Sequence, residues 1–178
     1  EEGRVIYSNI RKFVNFLLSC NVGEILVIFI ISLIPSALIP GIASPLTAIQ
    51  LLWLNLVTDS FPALALGREK GEPDIMKLPP RPKNEPIINK AMKISIVVQA
   101  VAIFLTVFVA FVAALMCDTS FFFSNAADHL EGARTVAFAT LITAELIRAY
   151  ASRSEHVSVF KIGLFSNKSM NIAVGASL

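Results

Sequence analysis

Residues 94–116, ISIVVQAVAIFLTVFVAFVAALM, form an apolar stretch without a charged side chain. Only Ser95, Gln99 and Thr106 place polar groups in it. A helix needs about 20 predominantly apolar residues to cross a hydrocarbon core roughly 30 Å thick. The stretch therefore predicts a transmembrane helix, and it argues against the alternative of a buried helix in a large soluble protein.

Three further apolar stretches accompany this one in a chain of 178 residues that is 55% hydrophobic, with a mean hydropathy of +0.70. Such a composition is too apolar for an ordinary soluble domain. We predict an all-α membrane protein, a single domain over residues 1–178 with four transmembrane helices. The fourth is shorter and more polar, so we expect it to pack against protein. The predicted spans are residues 13–34, 46–66, 94–117 and 134–151.

Lys and Arg fall in alternate connections between these spans. Residues 67–93 are rich in both, residues 35–45 carry no charge, and residues 118–133 carry acidic residues without Lys or Arg. Because basic loops stay in the cytoplasm, we predict that 67–93 lies inside and the other two loops lie outside. Residues 1–12 are predicted to form a cytoplasmic amphipathic stalk helix, and residues 152–178 a cytoplasmic segment that leads into a further span.

Three acidic residues interrupt the apolar spans: Glu24, Asp59 and Glu145. A charged side chain at the bilayer centre costs about 3 kcal/mol on insertion scales, so together they could cost on the order of 8–10 kcal/mol. A bound cation, a proton or a basic partner must offset that cost. These residues therefore indicate a functional site within the membrane.

Amide and hydroxyl side chains accompany two of these acids at helical spacing, which places each group on one helix face. These groups are Asn21 with Glu24, and Asn55 and Thr58 with Asp59. Pro62 has no amide hydrogen to donate to the carbonyl of Thr58, so that oxygen becomes available as a ligand. Gly23 is expected to ease local unwinding of the first span.

Carboxylate, amide and hydroxyl oxygens are hard ligands, and Ca²⁺ takes six to eight of them. Soft metals prefer Cys or His, and the two cysteines, Cys20 and Cys117, show no disulfide or zinc pattern. Cys20 lies one turn before Glu24, but a lone Cys in a span is more typical of a small apolar residue than of a thiolate ligand. The structural alternative for all these polar groups is hydrogen bonding between helices.

Several motifs resemble the fifth to eighth of the ten membrane helices of type II P-type ATPases, the calcium-pump group. NVGE at residues 21–24 followed by LLWLNLVTD at residues 51–59 resembles the fifth and sixth helices, and EEGRVIYSNIRKF at residues 1–13 resembles the stalk. DIMKLPPRPKNEPII at residues 74–88 resembles the loop after the sixth helix. SVFKIGLFSNKSMNIAVGASL at residues 158–178 resembles the start of the ninth, so the resemblance covers essentially the whole chain.

The resemblance implies two calcium sites side by side near the membrane centre. Asn55 and Asp59 would serve the site shared with the family's fourth helix, and Asp59 would bridge both sites. The second site would use Asn21, Glu24, Thr58 and Glu145.

Arg148 departs from the family pattern, because two-site pumps often have a neutral polar residue at this position. One turn after Glu145, its guanidinium could pair with that carboxylate and replace the second ion. Alternatively it extends towards the cytoplasm, which we favour, and leaves Glu145 free. The number of ions bound is therefore open.

The family's DKTGT, TGE, GDGxND and PEGLP motifs do not occur in this chain, which also begins without Met. We expect the membrane part of a longer parent, inactive alone as an ATPase, with ATP and Mg²⁺ bound by parts of the parent absent here. Expected partners are the lipid bilayer and the parent's other helices and cytoplasmic domains, with no nucleic acid.

The resemblance implies Ca²⁺ as the transported ion. A Mn²⁺ or Na⁺ pump, a secondary transporter and a structural helix bundle are the alternatives. The protein is expected to be a multi-pass integral membrane protein, in the plasma membrane if bacterial and in a secretory-pathway membrane if eukaryotic.

Overall fold

The computed structural model describes residues 2–33, 45–71, 76, 86–116, 126–154, 163 and 165–177. Parts of the predicted loops lie outside the described residues, namely 35–44 and 118–125 of the two loops predicted to lie outside, and 72–75 and 77–85 of the predicted cytoplasmic loop. The described chain consists of helices and turns and contains no strand, which confirms the predicted all-α class. The helices are α1 (Glu2–Leu33), α2 (Ala48–Leu66), α3 (Lys90–Met116), α4 (Ala126–Ala151) and α5 (Lys168–Ser177).

Three of these helices, α1, α2 and α3, are long and apolar enough to cross a membrane. Helix α1 joins the predicted stalk and the predicted first span in 32 uninterrupted residues. Helix α4 corresponds to the fourth predicted span, which the sequence already marks as more polar than the others. It packs against α3, which also packs against α1.

Helix α2 changes geometry in its middle. It begins with a capping box, in which Thr47 and Gln50 each accept the other's backbone amide. The turn at Leu54–Asp59 is widened to a π-helix, and the Ser60 hydroxyl donates to the carbonyl of Asn55 at 3.0 Å. A π turn of this kind is common at functional sites. Here it contains three of the candidate ion ligands, Asn55, Thr58 and Asp59.

Gly23 lets α1 approach α3 closely. A Cβ atom at this position would lie 3.2 Å from Cγ2 of Ile103, which is tighter than ordinary van der Waals contact. Helix α1 is continuous through Gly23, so the structure shows no unwinding at this position. Its small size allows the two helices to pack closely.

Two apolar clusters lie on either side of a polar layer. In α1 the acid Glu24 falls between Phe16 of one cluster and Val27 of the other. Helix α2 repeats this order from Leu54 through Asp59 to Ala65, and α4 repeats it from Leu141 through Glu145 to Ala149. The same layering in three helices places the three acids at one level of the bundle.

A second polar network, the Glu69 junction, joins the ends of several helices through Asn9, Glu69, Arg153 and Asn167. Asn9 in α1 donates its side-chain amide to the Glu69 carbonyl at 2.7 Å. The Glu69 carboxylate accepts from Arg153 Nη2 at 2.8 Å and Nε at 3.1 Å, and from Asn167 Nδ2 at 2.6 Å. Glu69 and Arg153 are both buried, so this bidentate pair is shielded from water.

Candidate cation site

Three carboxylates from three helices converge in the polar layer: Glu24 of α1, Asp59 of α2 and Glu145 of α4. Their side chains are 4%, 1% and 0% exposed. Asn55 donates its Nδ2 hydrogen to Glu24 Oε2 at 3.0 Å, which links α1 to α2. One oxygen of Asp59, one of Glu145 and the sulfur of Cys20 all lie within 4.8 Å of one another.

Most oxygens of this group are buried without a hydrogen-bond donor. No described residue donates to Glu24 Oε1, to Thr58 Oγ1, or to either carboxylate oxygen of Asp59 and Glu145. No described Lys or Arg forms an ion pair with the three carboxylates. Buried carboxylates of like charge, left unpaired, are strongly unfavourable. Their arrangement is therefore suited to binding a cation or protons.

The six residues expected to bind metal are placed differently. Glu24, Asp59 and Glu145 are buried in the polar layer, and the fully buried Thr58 adjoins Asp59 in the π turn. Asn55 is exposed but reaches the layer through its bond to Glu24 Oε2. Asn21 turns its Nδ2 back to the carbonyl of Leu17 at 2.8 Å. No described hydrogen bond joins Asn21 to the other five residues, and only its Oδ1 atom remains as a ligand.

Arg148 neither pairs with Glu145 nor extends freely into solvent, the two placements expected from the sequence. It is 9% exposed, so it does not extend into open solvent, and among the described residues it forms no ion pair with Glu145. Its guanidinium donates to Ser152 Oγ at 2.5 Å and to Gln99 Oε1 of α3. It lines a cavity of about 300 Å³ whose walls also include Arg11 and Lys12. The guanidinium of Arg148 is thus engaged by Ser152 and Gln99 rather than by Glu145.

Cys20, which its sequence context marks as a small apolar residue, lies in the wall of the polar layer. Its side chain is fully buried, and its sulfur faces the carboxylates of Asp59 and Glu145. The available signal was its spacing, since a residue one turn before Glu24 shares the same helix face. That spacing alone could not show that α2 and α4 bring their acids to the same place.

Buried, unpaired carboxylates contributed by separate apolar helices define a polytopic helical membrane protein with a site suited to cations. The chain belongs to the family of cation-transporting ATPases and corresponds to its C-terminal region, which is described as "Cation transporting ATPase, C-terminus" and matches residues 43–178. The resemblance to type II calcium pumps inferred from the motifs is thereby confirmed.

Individual relatives are calcium-transporting ATPases. Calcium-transporting ATPase 1 of Bacillus cereus is 40% identical over 175 residues, 94% of this chain and 19% of the relative. Calcium-transporting ATPase of Bacillus subtilis is 39% identical over 178 residues, 100% of this chain and 18% of the relative. Calcium-transporting ATPase type 2C member 1 of Mus musculus is 34% identical over 181 residues, 100% of this chain and 18% of the relative. The chain therefore spans about a fifth of the length of these relatives.

Proposed function

We propose that this chain supplies the ion-binding helices of an ATP-driven P-type pump that exports Ca²⁺ from the cytoplasm. The observation that carries the proposal is the convergence of Glu24, Asp59 and Glu145, buried and largely without donors. Carboxylate and hydroxyl oxygens are the ligands that Ca²⁺ prefers, and a bound divalent ion would offset most of the negative charge of the three carboxylates. The printed names of the relatives support Ca²⁺ as the ion.

The proposed ligands are the six residues named from the sequence. Asp59 contributes two donor-free oxygens from the π turn, where the backbone is already widened. Glu24 offers Oε1 while Asn55 holds its Oε2, so the carboxylate is oriented before an ion arrives. Because Arg148 is engaged by Gln99 and Ser152, Glu145 is left for an ion, and we propose that two ions bind per cycle.

The proposed transport step uses the continuity of α1. Phosphorylation of a cytoplasmic domain of the parent would move residues 1–16, and a rigid helix would carry that displacement to Glu24. Separation of Glu24 from Asn55 and Asp59 would lower the affinity of the site and release the ion outside. ATP and Mg²⁺ would act on parts of the parent other than this chain.

Equilibrium binding of ⁴⁵Ca²⁺ to the purified full-length pump tests the proposal, together with Ca²⁺-dependent phosphorylation from ATP. Asp59→Asn preserves size but removes a charge, and we expect it to abolish both signals. Glu131→Gln is the matched control, because Glu131 is an exposed acid on the same helix as Glu145. Its signals should equal those of the wild type.

Normal Ca²⁺ affinity in Asp59→Asn would overturn the site assignment. Phosphorylation that depends on Na⁺ or Mn²⁺ but not on Ca²⁺ would support an ATP-driven pump but would show that Ca²⁺ is not its ion. Absence of any ion-dependent phosphorylation would favour a secondary transporter or a structural bundle.

A further inference from the structure

The sulfur of Cys20 has no part in the proposed calcium site, although it lies in its wall. The side chain is fully buried in α1, one turn before Glu24. Among the described residues, Cys20 is the one free cysteine. A buried cysteine usually acts as a small apolar residue, so a role as a metal ligand needs support from the atoms around it.

That support comes from the atoms that face it. Both oxygens of Asp59 and both of Glu145 are buried without a donor, and one oxygen of each lies within 4.8 Å of the Cys20 sulfur. Two ligands bonded to one ion at about 2.4 Å can be no more than about 4.8 Å apart. Cys20, Asp59 and Glu145 therefore satisfy the distance limit for sharing a single ion.

We propose that these three residues form a mixed sulfur and oxygen site for a soft divalent cation, and that this site overlaps the calcium site. The inference rests on the proposed function, since Asp59 and Glu145 serve both ions. Ca²⁺ is hard and would use only the oxygens, leaving the sulfur unbound. Cd²⁺ has a similar ionic radius and prefers thiolate, so it gains a bond that Ca²⁺ does not.

Cys20 is thus a specificity-determining residue. A serine at this position would offer only another hard oxygen, and the preference for soft cations would disappear. Loss of a group that merely supports a metal ligand costs roughly 10–100-fold in affinity. Loss of the sulfur ligand itself should weaken Cd²⁺ binding by at least the lower limit of that range, about tenfold.

The test uses the full-length pump with Cd²⁺ as the probe. Cadmium bound to thiolate absorbs in the ultraviolet, and this absorption is measured in the wild type, Cys20→Ser and Cys117→Ser. Cys117 is the matched control, since it follows Met116 in the sequence, and Met116 lies about 20 Å along α3 from Ile103. Displacement of bound ⁴⁵Ca²⁺ by Cd²⁺ is measured in parallel.

The wild type and Cys117→Ser should show an absorption that excess Ca²⁺ removes, with displacement of ⁴⁵Ca²⁺ at low Cd²⁺. In Cys20→Ser the absorption should vanish and Cd²⁺ displacement should weaken, while ⁴⁵Ca²⁺ binding persists. If Cys20→Ser does not fold, Cys20→Ala is measured in its place.

Calcium binding without the absorption in the wild type would overturn this inference and leave the proposed function standing. So would an absorption that survives in Cys20→Ser. Failure of the wild type to bind ⁴⁵Ca²⁺ at all would instead refute the proposed function, and with it the overlapping site.

Discussion

Gly23 sets the distance between α1 and α3 beside the acidic layer. Its hydrogen faces Ile103, and the added Cβ of any other residue would meet Cγ2 of Ile103 at 3.2 Å. A larger side chain must therefore push α1 away from α3 or distort Ile103. This contact joins two residues that are far apart in the sequence. Because Glu24 follows Gly23 in α1, the packing of α1 against α3 also affects the position of Glu24.

We expect Gly23→Val to destabilise the helix pair by about 1–3 kcal/mol, the usual cost of overpacking a well-packed interior. The midpoint of thermal unfolding in detergent should fall, and Ca²⁺ affinity should fall with it. Gly175→Val is the control, because a Cβ at Gly175 meets no atom within 4 Å. Adding Ile103→Ala should restore part of the loss, and no rescue by that change would argue against the contact.

The proposed count of two ions requires that Arg148 leave Glu145 unpaired. Its guanidinium is engaged by Ser152 and Gln99, which leaves Glu145 without a basic partner. We expect ⁴⁵Ca²⁺ binding per phosphorylatable pump to be two ions in the wild type and two in Arg148→Ala. One ion in the wild type and two in Arg148→Ala would mean that Arg148 acts as an internal cation. One ion in both would remove Glu145 from the second site.

At the scale of elements, the Glu69 junction ties the first half of α1 to the chain that follows α2 and to the end of α4. Asn9 reaches the carbonyls of Gly67 at 3.3 Å and Glu69 at 2.7 Å. Arg153 also donates to the Gly163 carbonyl at 2.9 Å and to Ser166 Oγ at 2.7 Å. The junction thus fixes the ends of several helices relative to the stalk.

Removal of one partner from a buried ion pair typically costs about 3–5 kcal/mol, because the other charge stays buried and uncompensated. We expect Glu69→Ala and Arg153→Ala each to lower the unfolding midpoint strongly. The double variant should lose less than the sum of the two single changes, which a double-mutant cycle measures. Lys70→Ala, at an exposed position beside Glu69, is the control and should change little. If the losses of the two single variants simply add in the double variant, Glu69 and Arg153 are not coupled.

At the scale of the whole molecule, the helices expose large apolar side chains on their outer faces. Ile25 and Phe29 of α1 are 63% and 62% exposed, and Leu64 of α2 is 70% exposed. Such faces are expected where helices meet lipid or further membrane helices. They fit the helical membrane class that the chain's family and its apolar helices define.

The proposed topology places residues 67–93 in the cytoplasm and residues 118–133 outside. Met76 is exposed in the first segment and Glu131 in the second, so single cysteines there should be accessible to solvent. In intact cells, an impermeant thiol reagent should label Glu131→Cys but not Met76→Cys. Permeabilised cells should show labelling of both, which controls for reactivity. Labelling of Met76→Cys alone in intact cells would invert the topology.

The amino-acid sequence by itself determined the all-α membrane class, the approximate positions of the helices and the acids within them, although α4 begins at Ala126, within the loop predicted over residues 118–133. These properties are local, because a helix in lipid needs only a sufficient apolar length and its own backbone hydrogen bonds. The periodicity of Asn55, Thr58 and Asp59 is local in the same way. The motifs, read in order, were sufficient to identify the family.

Only the tertiary structure decided which of the marked residues meet. Cys20 joins Asp59 and Glu145, Asn21 turns back to Leu17, and Arg148 turns to Gln99. The bond of Asn21 lies within α1, but the contacts of Cys20 and Arg148 depend on how separate helices are rotated and how closely they approach. Gly23 controls one such approach through Ile103 on another helix. Side-chain spacing along one helix contains no information about that rotation, since it is fixed by packing between residues distant in the chain.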